Sequence, residues 1–366
     1  MSRINDLIKE LCPNGVEYKT LDKLASISTG KLNANAMEED GQYAFFTCDA
    51  KPFRINTYAF DGEAILISGN GSQVGYLNYY VGKFNAYQRT YVLMDFIDDI
   101  VCKYLFHYLN AYLKKYIDSN SKKGSVPYIT LPMLTTFKVA IPPIEVQEEI
   151  VQSLDKFGEL EAELEAELEA RRSQYEFWRG KLLASDYDVM KLGEICSIKT
   201  GSKPKEVLEF GTYEYINAGT TNSGYVEHTN AKGDCVTTPS RGQGGIGFVG
   251  YQANEFWCGP LCYQIRALND NLNNRYLYYY MLANNRYILG LKHEGGVPAV
   301  NIKELQEMPI ITPPLAEQER IVNILDKFDK LVNDISVGLP AEIEARRKQY
   351  EYYRNKLLSF KEVSCE

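Results

Sequence analysis

The sequence predicts an α+β protein: two globular α/β regions separated by two long antiparallel helices of coiled-coil type, arranged as a pseudo-two-fold internal repeat. Three observations predict it. Shifted by 171 residues, Pro142 to Phe157 (PPIEVQEEIVQSLDKF) falls on Pro313 to Phe328 (PPLAEQERIVNILDKF), with ten of sixteen positions identical. Shifted by 175, Glu169 to Leu183 (EARRSQYEFWRGKLL) falls on Glu344 to Leu358 (EARRKQYEYYRNKLL), with eleven of fifteen identical. The globular regions also open alike, with Leu21, Leu24, Ser26 and Thr29-Gly30 matched at the first offset by Leu192, Ile195, Ser197 and Thr200-Gly201. A period this long lies far above solenoid repeats and describes a duplicated two-part unit. Residues 1–140 and 186–311 are the globular regions, and residues 141–185 and 312–366 are the helical ones.

In each globular region, short apolar alternation closed by Thr-Gly runs into a turn, with Lys31 and Lys203 just beyond it. A glycine-rich stretch follows: Ala64 to Tyr76 in the first region and Cys235 to Phe248 in the second. Gly242, Gly244 and Gly247 fit a GxGxxG pattern, but a dinucleotide site needs a helix opening at those glycines, and the residues that follow read as a strand. The stretch is therefore a strand–turn–strand loop. It offers Asn70, Ser72 and Gln73, or Ser240, Arg241 and Gln243, and such side chains suit base edges as well as ordinary turns. Next come tyrosine-rich amphipathic segments, Lys103 to Tyr116 and Arg275 to Tyr287, which read as core helices. Beyond them, the Lys/Gly loops at Lys122, Lys123 and Lys292 could bring amides and ammonium groups to phosphates.

Each long helix starts after a Pro-Pro pair. In the first, Leu160, Leu164 and Leu168 alternate with Ala162, Ala166 and Ala170 between glutamates. Residues 144–184 could form one helix on the order of 60 Å long at ~1.5 Å per residue. Such a stripe needs a partner, and the copy at 315–360 is the obvious one, antiparallel because a globular region lies between them. The copy holds Gly338-Leu-Pro340 and four extra residues, which predict a break. The cluster Arg171, Arg172, Tyr175 and Trp178, with its copy Arg346, Arg347 and Tyr350, supplies the residue types that anchor protein interfaces; a solvated charged helix uses the same residues.

Net charge is −8, yet the 1–140 region is +1 and the 186–311 region −2, while 141–185 holds −6. Near-neutral globular regions neither demand nor forbid nucleic acid, so any DNA affinity must rest on base contacts or on partner subunits. Eight cysteines without framework spacing, no secretory leader and no apolar run of membrane-spanning length lead to an expectation of reduced thiols in the cytoplasm and no membrane partner. Catalytic equipment is missing. Ile-Pro-Pro-Ile and Thr-Pro-Pro-Leu lack the Asn or Asp of an adenine methyltransferase, and no GxxxxGK[ST] cradles phosphate. Asp6, Glu17 and Lys19 have no counterpart in the second half to make them a nuclease set, and the histidines with Cys258 and Cys262 do not assemble a zinc set.

The helix starts PPIEVQEEIV and PPLAEQERIV, the downstream Leu-Asp-Lys-Phe and Arg-Arg-x-Gln-Tyr-Glu segments and the Thr-Gly openings together resemble the specificity subunits of type I restriction-modification systems, over nearly the whole chain. The resemblance implies two target recognition domains, each reading half of a split asymmetric site in double-stranded DNA. It implies that the helices dock two modification (methyltransferase) subunits, adding Gln147 and Gln318 to the docking residues, and that restriction (endonuclease/translocase) subunits join the complex. The chain itself would be non-catalytic and bind no cofactor, with S-adenosylmethionine, ATP and Mg on the partner subunits. A purely structural coiled-coil adaptor is the alternative.

Overall fold

In a computed structural model, the structure describes residues 2–120, 128–184, 186–242, 244–293 and 297–363. Lys122, Lys123 and Gln243 lie outside them. In chain order, the first part comprises α1 (Ser2–Leu11), β1 (Glu17–Thr20), β2 (Ser26–Thr29), β3 (Tyr43–Phe46), β4 (Phe53–Ile55), β5 (Phe60–Ser68), β6 (Leu77–Ala86), β7 (Thr90–Met94), α2 (Cys102–Asn120), α3 (Leu131–Thr135), β8 (Lys138–Ile141) and α4 (Ile144–Leu183). The second comprises β9 (Val189–Lys191), α5 (Leu192–Ile195), β10 (Cys196–Thr200), β11 (Tyr213–Ile216), β12 (Tyr225–Val226), β13 (Cys235–Pro239), β14 (Gly250–Gln252), β15 (Trp257–Cys258), β16 (Cys262–Ala267), α6 (Asn274–Ala283), α7 (Asn285–Gly290), α8 (Ile302–Gln306), β17 (Pro309–Ile311), α9 (Leu315–Asn333) and α10 (Leu339–Leu357). The chain forms two compact units, Met1–Glu163 with Ile343–Glu366, and Leu164–Glu342.

The first unit is built on a six-stranded sheet in the order β2-β7-β5-β6-β3-β4, antiparallel except for β3 and β6. Alternation along β5 explains its burial on both faces: Ile65 and Ile67 join one core, Ala64 and Leu66 another with Phe46 and Phe84. On the first face, Leu105, Leu109, Leu113 and Ile117 of α2 meet Val146, Ile150 and Leu154 of α4, together with Leu357 and Leu358. Phe157 of α4 stacks on Tyr353 of α10 with centroids 5.6 Å apart, and Glu161 accepts from Arg347, so these two segments run antiparallel within the unit. Chain ends complete it: β1 pairs with β8, Val16 N–H donates to Lys361 O at 2.8 Å, and Tyr18 Oη donates to Phe360 O at 3.0 Å.

The second unit repeats this arrangement with less sheet. A four-stranded antiparallel sheet, β10-β16-β13-β14, stands beside a three-stranded one, β12-β11-β15, whose β11 and β15 are parallel. Its core joins Val236 and Ile265 to Tyr276, Leu277 and Met281 of α6, Ile321 and Leu325 of α9, and Tyr175 and Leu183 of α4. The strands β9 and β17 pair as β1 and β8 do in the first unit.

Two expectations are refined. The Arg275–Tyr287 segment is not one helix like its counterpart α2: the Asn284 amide donates to Tyr280 O at 2.9 Å, its backbone leaves the helical region, and α6 passes into α7. The expected break in the second long helix falls between α9 and α10. There Asp334 Oδ1 accepts from Ser336 N–H at 2.7 Å, the Gly338 N–H bonds Asp334 O at 3.0 Å, and Pro340 sits in the first turn of α10, where its missing N–H costs no helical bond.

Candidate nucleic-acid interface

At one end of the first unit, turns that are distant in sequence are tied together by main-chain bonds. Gln88 N–H donates to Leu32 O at 2.9 Å, Gly30 N–H to Thr90 O at 3.3 Å and Gly69 N–H to Arg89 O at 2.9 Å, while Ile129 N–H donates to Gly69 O at 2.8 Å. Gly30 is required here, since a Cβ would overlap the Ala86 carbonyl; Gly201 meets the Cys258 carbonyl in the same way. That shared close approach is the physical content of the repeated Thr-Gly. This end gathers Lys31, Asn70, Ser72 and Gln73, as the sequence suggested, and adds Gln88, Arg89 and Tyr128, which it did not. All of these are exposed except Asn70, which is half-buried, with the Cys48 thiol donating to its Oδ1 at 3.0 Å. Asp49, whose Oδ2 accepts from Thr47 Oγ1 at 2.7 Å, sets a negative charge at this end with Lys31 and Arg89.

The second unit builds the same end. Gly201 N–H donates to Gly259 O at 3.1 Å, Ser240 N–H to Leu261 O at 2.9 Å and Val300 N–H to Ser240 O at 2.9 Å. The Asn217 side chain accepts from Leu261 N–H at 2.9 Å. Lys203, Arg241 and Lys292 are exposed here. Ser240 is a correction: it is buried, and its backbone carries the loop's hydrogen bonds, so it is frame rather than contact.

In each unit a buried glutamine fastens the start of the tyrosine-rich helix to the start of the long helix, and this overturns the expectation of Gln147 and Gln318 as docking residues. Both are fully buried. Gln147 Oε1 accepts from Val101 N–H at 2.8 Å, and its Nε2 donates to Asp99 O at 2.8 Å and Pro142 O at 2.7 Å. Gln318 Oε1 accepts from Asn273 N–H at 2.8 Å, and its Nε2 donates to Asn271 O at 2.9 Å and Pro313 O at 2.8 Å. The side chain satisfies two backbone groups at the entry of the tyrosine-rich helix and one carbonyl of the Pro-Pro pair before its own helix, which is why the Pro-Pro-x-x-x-Gln spacing recurs.

The aromatic–arginine clusters divide by face. Tyr175 is buried against Phe328, and Tyr350 is half-buried beside Phe157, so neither is free for a partner. Arg171 pairs with Glu167 at 3.2 Å and Arg347 with Glu161. Arg172, Arg346 and Trp178 face outward, as do Phe177 and Tyr352, matching residues of the two copies that are each 62% exposed. Neither of that last pair is among the docking residues named from the sequence, although the 175-residue offset aligns them.

Lys19 is engaged with Asp99 at 3.2 Å and Glu17 at 3.6 Å. Among the described residues, no group of three His, Cys, Asp or Glu could hold a metal ion, and no helix is long and apolar enough to cross a membrane.

Comparison with known proteins agrees with this layout. The family described as "Type I restriction modification DNA specificity domain" matches twice, over residues 13–170 and 184–345. The Escherichia coli type I restriction enzyme EcoDI specificity subunit is 29% identical over 378 residues, covering 86% of this chain and 81% of its own. The Escherichia coli EcoR124I/EcoR124II specificity subunit is 30% identical over 316 residues, 76% of each chain. A type I restriction-modification S subunit from M. genitalium shares the fold, with a TM-score of 0.67 at 20% identity over 94% of this chain and 96% of that one. The two matches span most of the sequence, and the chain belongs to the type I restriction modification DNA specificity family.

Proposed function

We propose that the chain is the DNA-reading subunit of a type I restriction-modification complex, each loop end reading one half of a bipartite, asymmetric site in double-stranded DNA. One observation carries this reading: the same hydrogen-bonded end is built twice, and its exposed side chains differ between the copies. A frame that is repeated while its surface changes suits two readers of unlike half-sites. Lys31, Arg89, Lys203 and Lys292 are placed to meet phosphates, which positions the protein without reading sequence. Asn70, Ser72, Gln73 and Arg241 carry the donor and acceptor patterns that base edges recognise. With globular regions near neutral in charge, binding by the chain alone should be weak and salt-sensitive, and affinity is completed by partners.

The outward faces of the long helices, with Arg172, Phe177 and Trp178 in one copy and Arg346 and Tyr352 in the other, are proposed to dock two modification subunits. Restriction subunits would join that assembly. Methyl transfer from S-adenosylmethionine and ATP- and Mg-dependent cleavage are assigned to those partners, and a DNA-reading role fits a cytoplasmic chain. The test is adenine methylation sequencing of DNA exposed to the modification subunits with and without this chain. A bipartite motif that appears only with the chain supports the proposal; methylation with no motif in its presence defeats it.

A further inference from the structure

We infer that Asn70 and Arg241 are the paired specificity determinants of the two readers: they occupy one position of the duplicated loop, where asparagine selects adenine in one half-site and arginine selects guanine in the other. The inference rests on the proposed reading of DNA by the loop ends and names, within it, one base pair for each loop.

Equivalence of the two residues follows from the main-chain frame. Gly69 and Ser240 make the same pair of bonds: each donates to the strand-connecting turn, at Arg89 O or Leu261 O, and each accepts from the residue opposite, Ile129 or Val300. The next residue, Asn70 or Arg241, forms an isolated antiparallel bridge to Tyr128 or Ala299. After it, Gly71 and Gly242 both turn with positive φ, +85° and +132°. Aligning the two loops on Ser68 and Ser240 would set Asn70 against Gly242; the hydrogen bonds shift the match by one residue and set it against Arg241.

The chemistry at this position differs in a way that bases distinguish. An Asn amide presents an acceptor and a donor side by side, matching N6–H and N7 of adenine; a guanidinium presents two parallel donors, matching O6 and N7 of guanine. The Cys48 thiol bonds one lone pair of Asn70 Oδ1, which orients the amide and leaves a second lone pair and both N–H groups for a ligand. The Arg241 guanidinium is exposed and makes no hydrogen bond or ion pair among the described residues. Size is complementary as well. Beside the shorter Asn70 stands Tyr128, 51% exposed, whereas the longer Arg241 has Ala299 as its bridge partner.

The test uses the full chain assembled with its modification subunits, and duplexes built on the methylation motif of the unaltered complex. For each half-site, four duplexes that differ at one base pair are compared for binding. The Asn70→Ala complex should lose roughly 10- to 100-fold discrimination at one A·T pair, and the Arg241→Ala complex the same at one G·C pair in the other half-site. In each case the opposite half-site keeps its discrimination, which also reports that the variant is folded. If Arg241→Ala fails to assemble, Arg241→Gln gives the same readout, with preference moving from guanine toward adenine. Uniform weakening on all four duplexes with discrimination retained would mark a phosphate contact and overturn the inference, as would relaxation in both half-sites. An unaltered complex with no bipartite motif would instead remove the DNA-reading proposal beneath it.

Discussion

Lys103 of α2 reaches Asp155 of α4 at 2.7 Å in the first unit, and His107, one turn along, meets the same carboxylate at 2.9 Å. In the second unit Arg275 and Tyr279 of α6 meet Asp326 of α9 at 2.8 and 2.5 Å. A tyrosine ring lies near each cation: Tyr79 is 5.7 Å from Lys103, and Tyr251 is 4.6 Å from Arg275, which also touches the rings of Tyr278 and Tyr279. The aspartate on the long helix is the same in both copies, and the groups answering it from the tyrosine-rich helix have changed. His107 turns its other nitrogen toward Tyr350 Oη at 3.5 Å, whereas Tyr175, the matching tyrosine of the second unit, has the Arg179 guanidinium 5.1 Å from its ring centroid and a buried hydroxyl that meets no hydrogen-bond partner among the described residues. The comparison separates a fixed anchor from a replaceable grip. It also puts a titratable imidazole in the grip of the first unit where the second has a phenol.

Removing the anchor they share should have the largest effect. Gln147→Ala strands the Val101 N–H and the Asp99 and Pro142 carbonyls, and Gln318→Ala strands their counterparts. Each should cost about 3–5 kcal/mol, since several buried polar groups lose their partner together. Urea unfolding of the two variants checks this; a loss confined to one of them would show that the glutamines are not equivalent.

Removing the grips should separate the units. Arg275→Ala loses two carboxylate contacts and three ring contacts from a largely covered side chain and should cost about 2 kcal/mol. Lys103 is 44% exposed and holds one carboxylate, so Lys103→Ala should cost about 1 kcal/mol or less. Equal losses in chemical denaturation would mean that the grips are energetically alike despite their geometry.

The smallest effect is the pH response. Burial pulls the His107 pKa below its ordinary value against the opposing pull of Asp155, so the folded first unit holds a neutral imidazole. The unfolded chain, with an ordinary value of about 6.5, binds that proton more readily, so stability falls as pH drops below about 6.5. Burial pushes the Asp155 carboxyl up, but hydrogen bonds from Lys103 and His107 outweigh it and hold the group below the usual carboxylate range. Its contribution is present above about pH 4 and is lost as pH falls through its lower folded value. His107→Tyr copies the second unit and should flatten the decline in stability between pH 7 and pH 5; an unchanged slope sinks this account.

Much of the frame was legible in the sequence because duplication wrote it twice. The 171-residue offset picks out Gln147 with Gln318, Asp155 with Asp326 and Gly30 with Gly201, and each pair does one job in both units. What those residues do was not legible. A glutamine in a charged helix start gives no sign that three backbone groups close on it, and the family resemblance by itself makes it a docking residue. The faces of the Arg-Arg-x-Gln-Tyr-Glu clusters were equally hidden: successive helical residues turn by about 100°, so Tyr175 enters the core while Phe177 leaves it, and aromatic character alone does not separate them. At the recognition ends, Lys31 and Asn70 could be found from their turns, whereas Arg89 and Tyr128 join them only through bonds between distant loops.

The central claim is that two independent readers share one frame. The most direct measurement is adenine methylation sequencing with a complex in which residues 20–140 of this chain are replaced by the matching region of a relative with a different bipartite site. The account predicts a motif altered in one half and unchanged in the other. Alteration of both halves, or of neither, would contradict it.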